Sequence, residues 1–299
     1  MAKEKKAPFF IKVCGDSRVV TLNTVNLFGM DRDIVDSPID VYIKKNKSLL
    51  VKLGRLEREG LLDSTNEEDR DVYNLFLLGF ISNVESFIRR IIRETILLDN
   101  IAYEQCLEQQ LTYAAAIHHK ADLLPEALLE NCTFISLDNI QKTTKTYLDI
   151  NINKQSSDQK ELIECLSMFE QLCQLRHCIV HRAGLLGSKN AVKLGINQHS
   201  KFFEKPIVLD FSFLQESSAI CLNCVRTYNN FLFNELLKRY VVTNKSALSW
   251  NFNSDRKWFS RYFKLFVSSE LNNEIIRQQK QPYTPKTAYN ELRDYYEGS

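Results

Sequence analysis

The sequence predicts a mostly α-helical protein: an up-and-down bundle of helices with a small N-terminal β or irregular appendage and a C-terminal helical extension. Three observations lead to this fold class. Apolar residues recur at steps of three and four over long segments, which is the period of an amphipathic helix. The 299 residues include only 9 glycines and 6 prolines, too few for the tight turns of a large sheet protein. Apolar residues make up 44% and charged residues 25% of the chain, as in ordinary globular proteins.

The first part of the chain differs in pattern from the rest. Residues 9–13 and 18–22 are rich in β-branched and other apolar residues on either side of a Cys-Gly-Asp-Ser turn, which predicts a small hairpin. Residues 40–43 are predicted to add a third short strand. We therefore treat residues 1–64 as an N-terminal appendage.

Five helices are predicted for the bundle, which we place at residues 65–241. Thr65 followed by Glu68 has the capping-box spacing that favours a helix start. Gly184 is expected to end the fourth helix. A lysine-rich loop and a short strand at 206–209 then lead into the fifth helix. The predicted helices cover about residues 65–98, 102–120, 137–148, 157–181 and 212–240.

The composition changes again in residues 242–299, which we predict as a helical extension with a polar tail. Residues 254–271 combine aromatic and basic residues at helical spacing. Aromatic residues at this spacing pack in a core more often than they stack on nucleic-acid bases, so we expect this helix to pack on the bundle. The tail from residue 278 onward is predicted to be partly disordered or to form a final short helix at 288–296.

Charge and cysteine usage limit the partners and the compartment. The formal net charge is only +2, so any nucleic-acid site must be a local patch. No run of about 18 apolar residues is present, and the first residues lack the apolar core of a secretory signal, so we expect neither a membrane partner nor secretion. Eight scattered cysteines are typical of reduced core residues rather than of a disulfide framework. The predicted location is cytoplasmic.

The candidate site lies at the end of the predicted fourth helix, where four residues separate Arg176 from His181. On a helix these two positions are about 140° apart around the axis and roughly 7.5 Å apart along it, so they do not share a face. His177 and His181 do share one. We expect the helix to fray after Val180, which would let His181 turn toward a groove that Arg176 also reaches.

These residue types suit the cleavage of RNA. RNA carries its own nucleophile, the 2′-hydroxyl, which distinguishes it from DNA. A histidine with a pKa near neutrality can remove the proton of that hydroxyl, and an arginine can neutralise the charge that develops on the phosphate. No metal or other cofactor is then required. Since one Arg–His pair per chain is a sparse site, we expect a homodimer that combines two pairs in one cleft.

The segment RHCIVH at residues 176–181 resembles the signature of the HEPN superfamily (higher eukaryotes and prokaryotes nucleotide-binding domain), in which an arginine and a polar residue precede three residues and a histidine. Two further segments are similar to bacterial HEPN nucleases. Residues 80–88 contain Glu-x-Phe after an aromatic run, and residues 206–214 have a strand followed by a helix start. The similarity covers about residues 70–240.

The resemblance implies an endoribonuclease with a composite active site at a homodimer interface, which leaves 2′,3′-cyclic phosphate ends. Single-stranded or transfer RNA is the expected substrate. Bacterial relatives serve as toxins or anti-phage effectors, so a regulatory protein or antitoxin is an expected partner. The predicted catalytic residues are Arg176 and His181, with His177 and Glu85 in support. The predicted RNA-binding residues are Arg182, Lys189 and Lys193.

The same residues have other interpretations. The chain can instead be a non-catalytic HEPN-like module that binds a protein or RNA partner, or the motif can be a helix end whose cations face the helix dipole. His177 and His181 could hold a metal, although further ligands are then needed. Glu85 is expected either to orient Arg176 or His181, or to pair with Arg89 four residues later.

Overall fold

The computed structural model describes residues 9, 11–29 and 35–298, and the chain divides into two compact units, Met1–Val35 and Asp36–Ser299. In the described part of the smaller unit, Val25–Leu27 form a short 3-10 turn and no residue is in a strand. The predicted hairpin is therefore wrong for these residues; residue 10 lies outside them. Two strands without a packing partner bury too little apolar surface to be stable.

The described residues of the larger unit form twelve α-helices, which confirms the mostly α-helical fold class. They are α1 (Pro38–Arg58), α2 (Arg70–Leu98), α3 (Asn100–Cys106), α4 (Tyr113–His118), α5 (Leu124–Leu128), α6 (Leu137–Leu148), α7 (Lys160–Arg182), α8 (Ser188–His199), α9 (Phe211–Thr243), α10 (Phe252–Phe266), α11 (Ser269–Arg277) and α12 (Pro285–Glu297). None of the helices in the described part is long and apolar enough to cross a lipid bilayer.

Three long helices, α2, α7 and α9, form the centre of the bundle, and each packs against the other two. α1 lies along α2 and α9, while α6 packs against α2 and α7. Burial of their apolar stripes removes apolar surface from water, which is the main term that stabilises the bundle. The stripe predicted for α2 is confirmed, since all five of its members are buried: Leu77, Ile81, Val84, Ile88 and Ile91.

The predicted strand at residues 40–43 is wrong, because these residues lie in the first turns of α1. Ser37 caps this helix by accepting a hydrogen bond from the Asp40 backbone N–H at 3.3 Å, and Pro38 occupies its first turn. Ile39 and Tyr42 are buried against the bundle. The predicted boundary after residue 64 consequently falls inside the larger unit.

Two predicted features near α2 and α3 also differ. Thr65 does not cap α2; its hydroxyl donates to Asp63, and α2 begins at Arg70 after a 3-10 turn. The predicted second helix at 102–120 is split into α3 and α4. Thr112 starts α4 by accepting a hydrogen bond from the Ala115 backbone N–H, a local interaction that competes with a continuous helix.

The segment between α7 and α9 is more ordered than predicted. The expected lysine-rich loop contains α8, which has a kink at Gly195 (φ 105°). The expected strand at 206–209 amounts to one antiparallel bridge between Leu185 and Pro206. Proline has no backbone N–H to donate to a ladder, so it does not extend this pairing.

The predicted helix at 254–271 is two helices, α10 and α11, which separate at Val267 and Ser268. The Ser268 side chain caps α11, and Asp40 accepts hydrogen bonds from the Ser268 hydroxyl at 2.6 Å and the Ser269 backbone N–H at 2.9 Å. The aromatic residues of α10 are largely core, as predicted: Phe259, Tyr262, Phe263 and Phe266 are buried. α12 then packs on α10.

Candidate active site

α7 continues as a regular helix through Arg182, so the expected fraying after Val180 does not occur. Ala183 adopts the left-handed region at φ 50°, followed by Gly184 at φ 80°. The Gly184 backbone N–H donates to the Cys178 carbonyl at 3.1 Å, which closes the last turn. His181 is therefore held in the final helical turn rather than on a loose end.

The left-handed residues that end α7, Ala183 and Gly184, lead to a stability prediction. A non-glycine residue in the left-handed region is strained, so we expect Ala183→Gly to raise the free energy of unfolding. The net gain should be about 0.5 kcal/mol, because the relief of strain is partly offset by the entropic cost of fixing a glycine. The matched change Gly184→Ala should lower it by about 1 kcal/mol, because the added Cβ has room (the nearest atom, Asn74 Nδ2, is 3.6 Å away) and only backbone strain remains. Urea denaturation measures both. A loss of stability in Ala183→Gly would contradict this account of the stop.

His177 and His181 share one face of α7, and their rings stack. The ring centroids are 5.7 Å apart and the ring planes are 25° from parallel. His177 is half-buried and His181 is exposed at the end of the helix. A bound molecule can therefore reach His181 directly, while His177 lies one turn behind it.

Arg176 of α7 and Glu85 of α2 are close enough to influence each other electrostatically. Burial raises the pKa of Glu85, and the opposing charge of Arg176 is the largest influence that lowers it, followed by that of Arg89 and by the Phe134 backbone N–H. Among the described residues, Arg176 forms no hydrogen bond or direct ion pair. The guanidinium therefore feels the charge of the Glu85 carboxylate without contacting it, and its own donors are not used by a described residue.

Arg89, the other expected partner of Glu85, is occupied elsewhere. Its guanidinium donates to the Leu129 carbonyl and, at 2.9 Å, to the Cys132 carbonyl, and it lies 5.3 Å from the centroid of the Phe134 ring. These contacts hold the segment before α6 against α2. Arg176 thus has a stronger electrostatic effect on Glu85 than Arg89 has, whereas the sequence left open whether Glu85 orients Arg176 or His181 or pairs with Arg89.

The environment of His177 favours its neutral form. Burial lowers the pKa of His177 most, and the positive charges of Arg176, His181 and Lys193 lower it further. Protonation would place another positive charge among these cations. At a given pH, a larger fraction of His177 is therefore neutral than of a free histidine.

This arrangement predicts a pKa that NMR can measure. We expect the His177 ring to titrate below the pKa of a free histidine, and Arg176→Ala to raise that pKa, since a neighbouring positive charge is removed. Lys142→Ala, which removes an exposed cation on α6, is the matched control and should leave it unchanged. A His177 pKa at or above that of free histidine would contradict the arrangement.

The three predicted RNA-binding residues differ in how available they are. Arg182 forms an ion pair with Glu204, and Lys193 lies 3.6 Å from Glu170 Oε1. Lys189 is exposed on the first turn of α8. Neither Glu204 nor Glu170 is predicted from the sequence, because both carboxylates reach their partners through folding and not through a helical repeat.

The described residues contain no group of three or more His, Cys, Asp or Glu side chains that could hold a metal ion. The paired-histidine metal site would therefore need a ligand from outside these residues. Cys173 and Cys178 are buried, and burial raises the pKa of the Cys173 thiol, which makes it a poor nucleophile and a poor ligand.

Comparison with known proteins does not identify a relative. The chain matches no protein-family model, no curated protein and no solved structure.

Proposed function

We propose that this protein is a metal-independent endoribonuclease and that Arg176, His177, His181 and Glu85 form its active site. We call these four residues the α7 site. The observation that carries the proposal is the stacked histidine pair at the end of α7, which presents an exposed imidazole close in sequence to Arg176, an arginine with no hydrogen bond or ion pair to any described residue. Since the intact helix keeps Arg176 and His181 about 140° apart around its axis, the proposal has the two side chains act together across a dimer interface. An imidazole that transfers the proton and a permanent cation at the phosphate are what cleavage by the 2′-hydroxyl of RNA requires.

In the proposed reaction the 2′-oxygen attacks the adjacent phosphorus while an imidazole removes the hydroxyl proton. The bond from phosphorus to the 5′-oxygen breaks, and that oxygen takes up the proton that the imidazole has removed, which leaves a 2′,3′-cyclic phosphate and a 5′-hydroxyl. His181 is assigned the direct proton transfer because it is exposed. Arg176 neutralises the phosphate oxygens, and the Glu85 carboxylate on α2 attracts the Arg176 guanidinium without a direct ion pair.

We further propose that two copies of the chain form the working enzyme. Each chain supplies one Arg–His pair, and a two-fold interface at the end of α7 would place two pairs in one cleft. Light scattering should give the mass of a dimer. A regulatory protein or antitoxin is part of this proposal, since an unregulated cytoplasmic ribonuclease would damage the RNA of its host; the biological role would be that of a toxin or anti-phage effector.

The experiment that tests the function is cleavage of single-stranded and transfer RNA in EDTA. We expect cutting with cyclic phosphate ends, and none in a matched DNA or 2′-O-methyl RNA, which lack the free 2′-hydroxyl. A strict need for a divalent cation would favour the paired-histidine metal site instead. A dimer that binds RNA and never cuts it would indicate a non-catalytic binding module.

A further inference from the structure

A second cationic surface lies on α10, outside the α7 site. A groove of about 650 Å³ runs between the polar face of α10 and the start of α12. We call it the α10 groove. Five of its lining residues are basic and none is acidic. The basic residues are Arg256, Lys257, Arg261, Lys264 and Lys286.

These five cations are not neutralised within the described part of the chain. All are exposed, and none forms an ion pair or a hydrogen bond with a described residue. Elsewhere, basic side chains do find acidic partners, as Arg90 does with Glu94 at 2.6 Å. The one acidic residue of α10, Asp255, is buried and accepts a hydrogen bond from the Tyr289 hydroxyl.

The fold concentrates this charge on one side of α10. Phe259, Phe263 and Phe266 fill the buried face of the helix. Helical geometry leaves Lys257, Arg261 and Lys264 on the opposite face, with Arg256 at its edge, and Lys286 comes from α12. The formal net charge of the whole chain is only +2. Five unpaired cations in one groove are therefore a local field that favours an anionic partner.

The groove adjoins an aromatic wall. Arg261 also lines a neighbouring cavity of about 280 Å³, together with Tyr240 and Trp258. The rings of Tyr240 and Trp258 stack on each other at a centroid distance of 4.0 Å. Both rings are only partly exposed and already stack on each other, so it is the cations, which can follow a phosphate backbone, that make this groove similar to sites for single-stranded nucleic acid.

We propose that the α10 groove binds the phosphate backbone of single-stranded RNA. The choice of RNA rests on the proposed function, whereas the need for a partner with repeated negative charges follows from the groove itself. Its concave shape suits a strand better than the flat surface of a membrane. Duplexes and lipid headgroups are therefore alternatives for the test to separate.

The groove is separate from the α7 site. The two sites adjoin different parts of α9. Cys221 marks the part near α7, since it influences Cys173 of α7 electrostatically. Tyr240 marks the part near α10, since its ring stacks on Trp258. At a rise of about 1.5 Å per residue, Cys221 and Tyr240 are roughly 28 Å apart along α9. Substitutions in the groove can thus change RNA binding without touching the residues proposed for catalysis.

The test measures binding of a fluorescein-labelled 2′-O-methyl oligouridylate, which lacks the nucleophile for cleavage, to the full-length protein. The triple variant Arg256→Ala, Lys257→Ala, Lys264→Ala should bind about tenfold more weakly or worse, and the slope of log affinity against log salt should fall by about 2, since each lost phosphate contact on a single strand accounts for about 0.7. Alanine is a good helix former, so α10 should remain folded; circular dichroism checks this.

Two matched variants make the result specific. The first, Lys47→Ala, Lys142→Ala, Lys238→Ala, removes the same charge from three exposed positions on α1, α6 and α9 and should keep most of the binding. The second, Arg256→Lys, Lys257→Arg, Lys264→Arg, keeps the charge of the groove and should also bind.

Equal losses in the groove variant and the dispersed variant would overturn the proposal. Tighter binding to duplex RNA, or to phosphatidylserine–phosphatidylcholine vesicles, would overturn the choice of a single strand. Because the probe cannot be cut, weaker binding by the groove variant supports RNA binding in the α10 groove whether or not the wild-type protein cleaves RNA. The cleavage assay in EDTA tests the proposed function independently.

Discussion

Replacing His181 with alanine is expected to reduce the rate of RNA cleavage by about 10²- to 10⁴-fold, the usual contribution of a positioned general acid or base. His181 is the exposed member of the stacked pair, so its loss removes the imidazole that a substrate can reach. Arg176→Ala should cost about 10²- to 10³-fold, as for other donors that stabilise developing negative charge. Gel assays with end-labelled RNA in EDTA measure both effects.

The matched control is His118→Ala, which removes an exposed imidazole from α4 and should leave cleavage unchanged. Light scattering should show that the His181 variant keeps the oligomeric state of the wild type. Arg176→Lys is informative as well, because lysine keeps the charge and loses the planar fork that grips two phosphate oxygens; we expect it to stay well below wild-type activity. Cleavage that persists in His181→Ala would remove His181 from the mechanism.

The second large effect concerns stability and is expected for Arg239→Ala. Arg239 of α9 pairs with Asp99 at 2.8 Å and donates to the carbonyls of Leu148 at 2.7 Å and Asp149 at 3.0 Å. The Arg239 and Asp99 side chains are only 13% and 6% exposed. Removal of one partner leaves a buried charge uncompensated, which costs about 3 to 5 kcal/mol.

Asp99 makes this pair a junction of several helices. Its side chain also caps α3, by accepting a hydrogen bond from the Ala102 backbone N–H at 2.9 Å, and it accepts one from the Tyr262 hydroxyl of α10 at 3.4 Å. We therefore expect Arg239→Ala to loosen α3 and α10 together with α9. Chemical denaturation should show the drop in unfolding free energy as a lower midpoint.

Lys238→Ala is the control for this prediction. Lys238 is the preceding residue of α9, is exposed and forms no ion pair or hydrogen bond with any described residue, so its replacement should change the unfolding free energy by less than about 0.5 kcal/mol. Equal, small effects of the two substitutions would mean that the Asp99–Arg239 pair contributes little to stability.

Several elements follow from local sequence signals alone. The predicted helix at 137–148 coincides with α6, Leu137–Leu148, because Ser136 caps it and its apolar residues keep the helical period. α2, α7 and α9 were also predicted as helices, with ends within a few residues of those observed, apart from the start of α2. Long, strongly periodic segments carry enough local information to specify the helix.

Other elements depend on contacts that the local sequence does not contain. Residues 40–43 have the β-branched and aromatic residues of a strand, yet they are helical because Ile39 and Tyr42 are buried against the bundle. The lysine-rich segment after α7 looked like a loop, yet it forms α8, which packs on α7. In both cases tertiary packing outweighs local propensity.

The candidate site shows the same division. The sequence by itself determined that Arg176, His177 and His181 lie at the end of a helix, that the two histidines share a face, and that Glu85 lies on an earlier helix, since each of these follows from helical periodicity. Only the tertiary structure decided that Arg176 influences Glu85 electrostatically, that Arg89 donates to carbonyls before α6, and that Glu204 pairs with Arg182. These partners lie far apart along the chain, and only helix packing sets the distances between them.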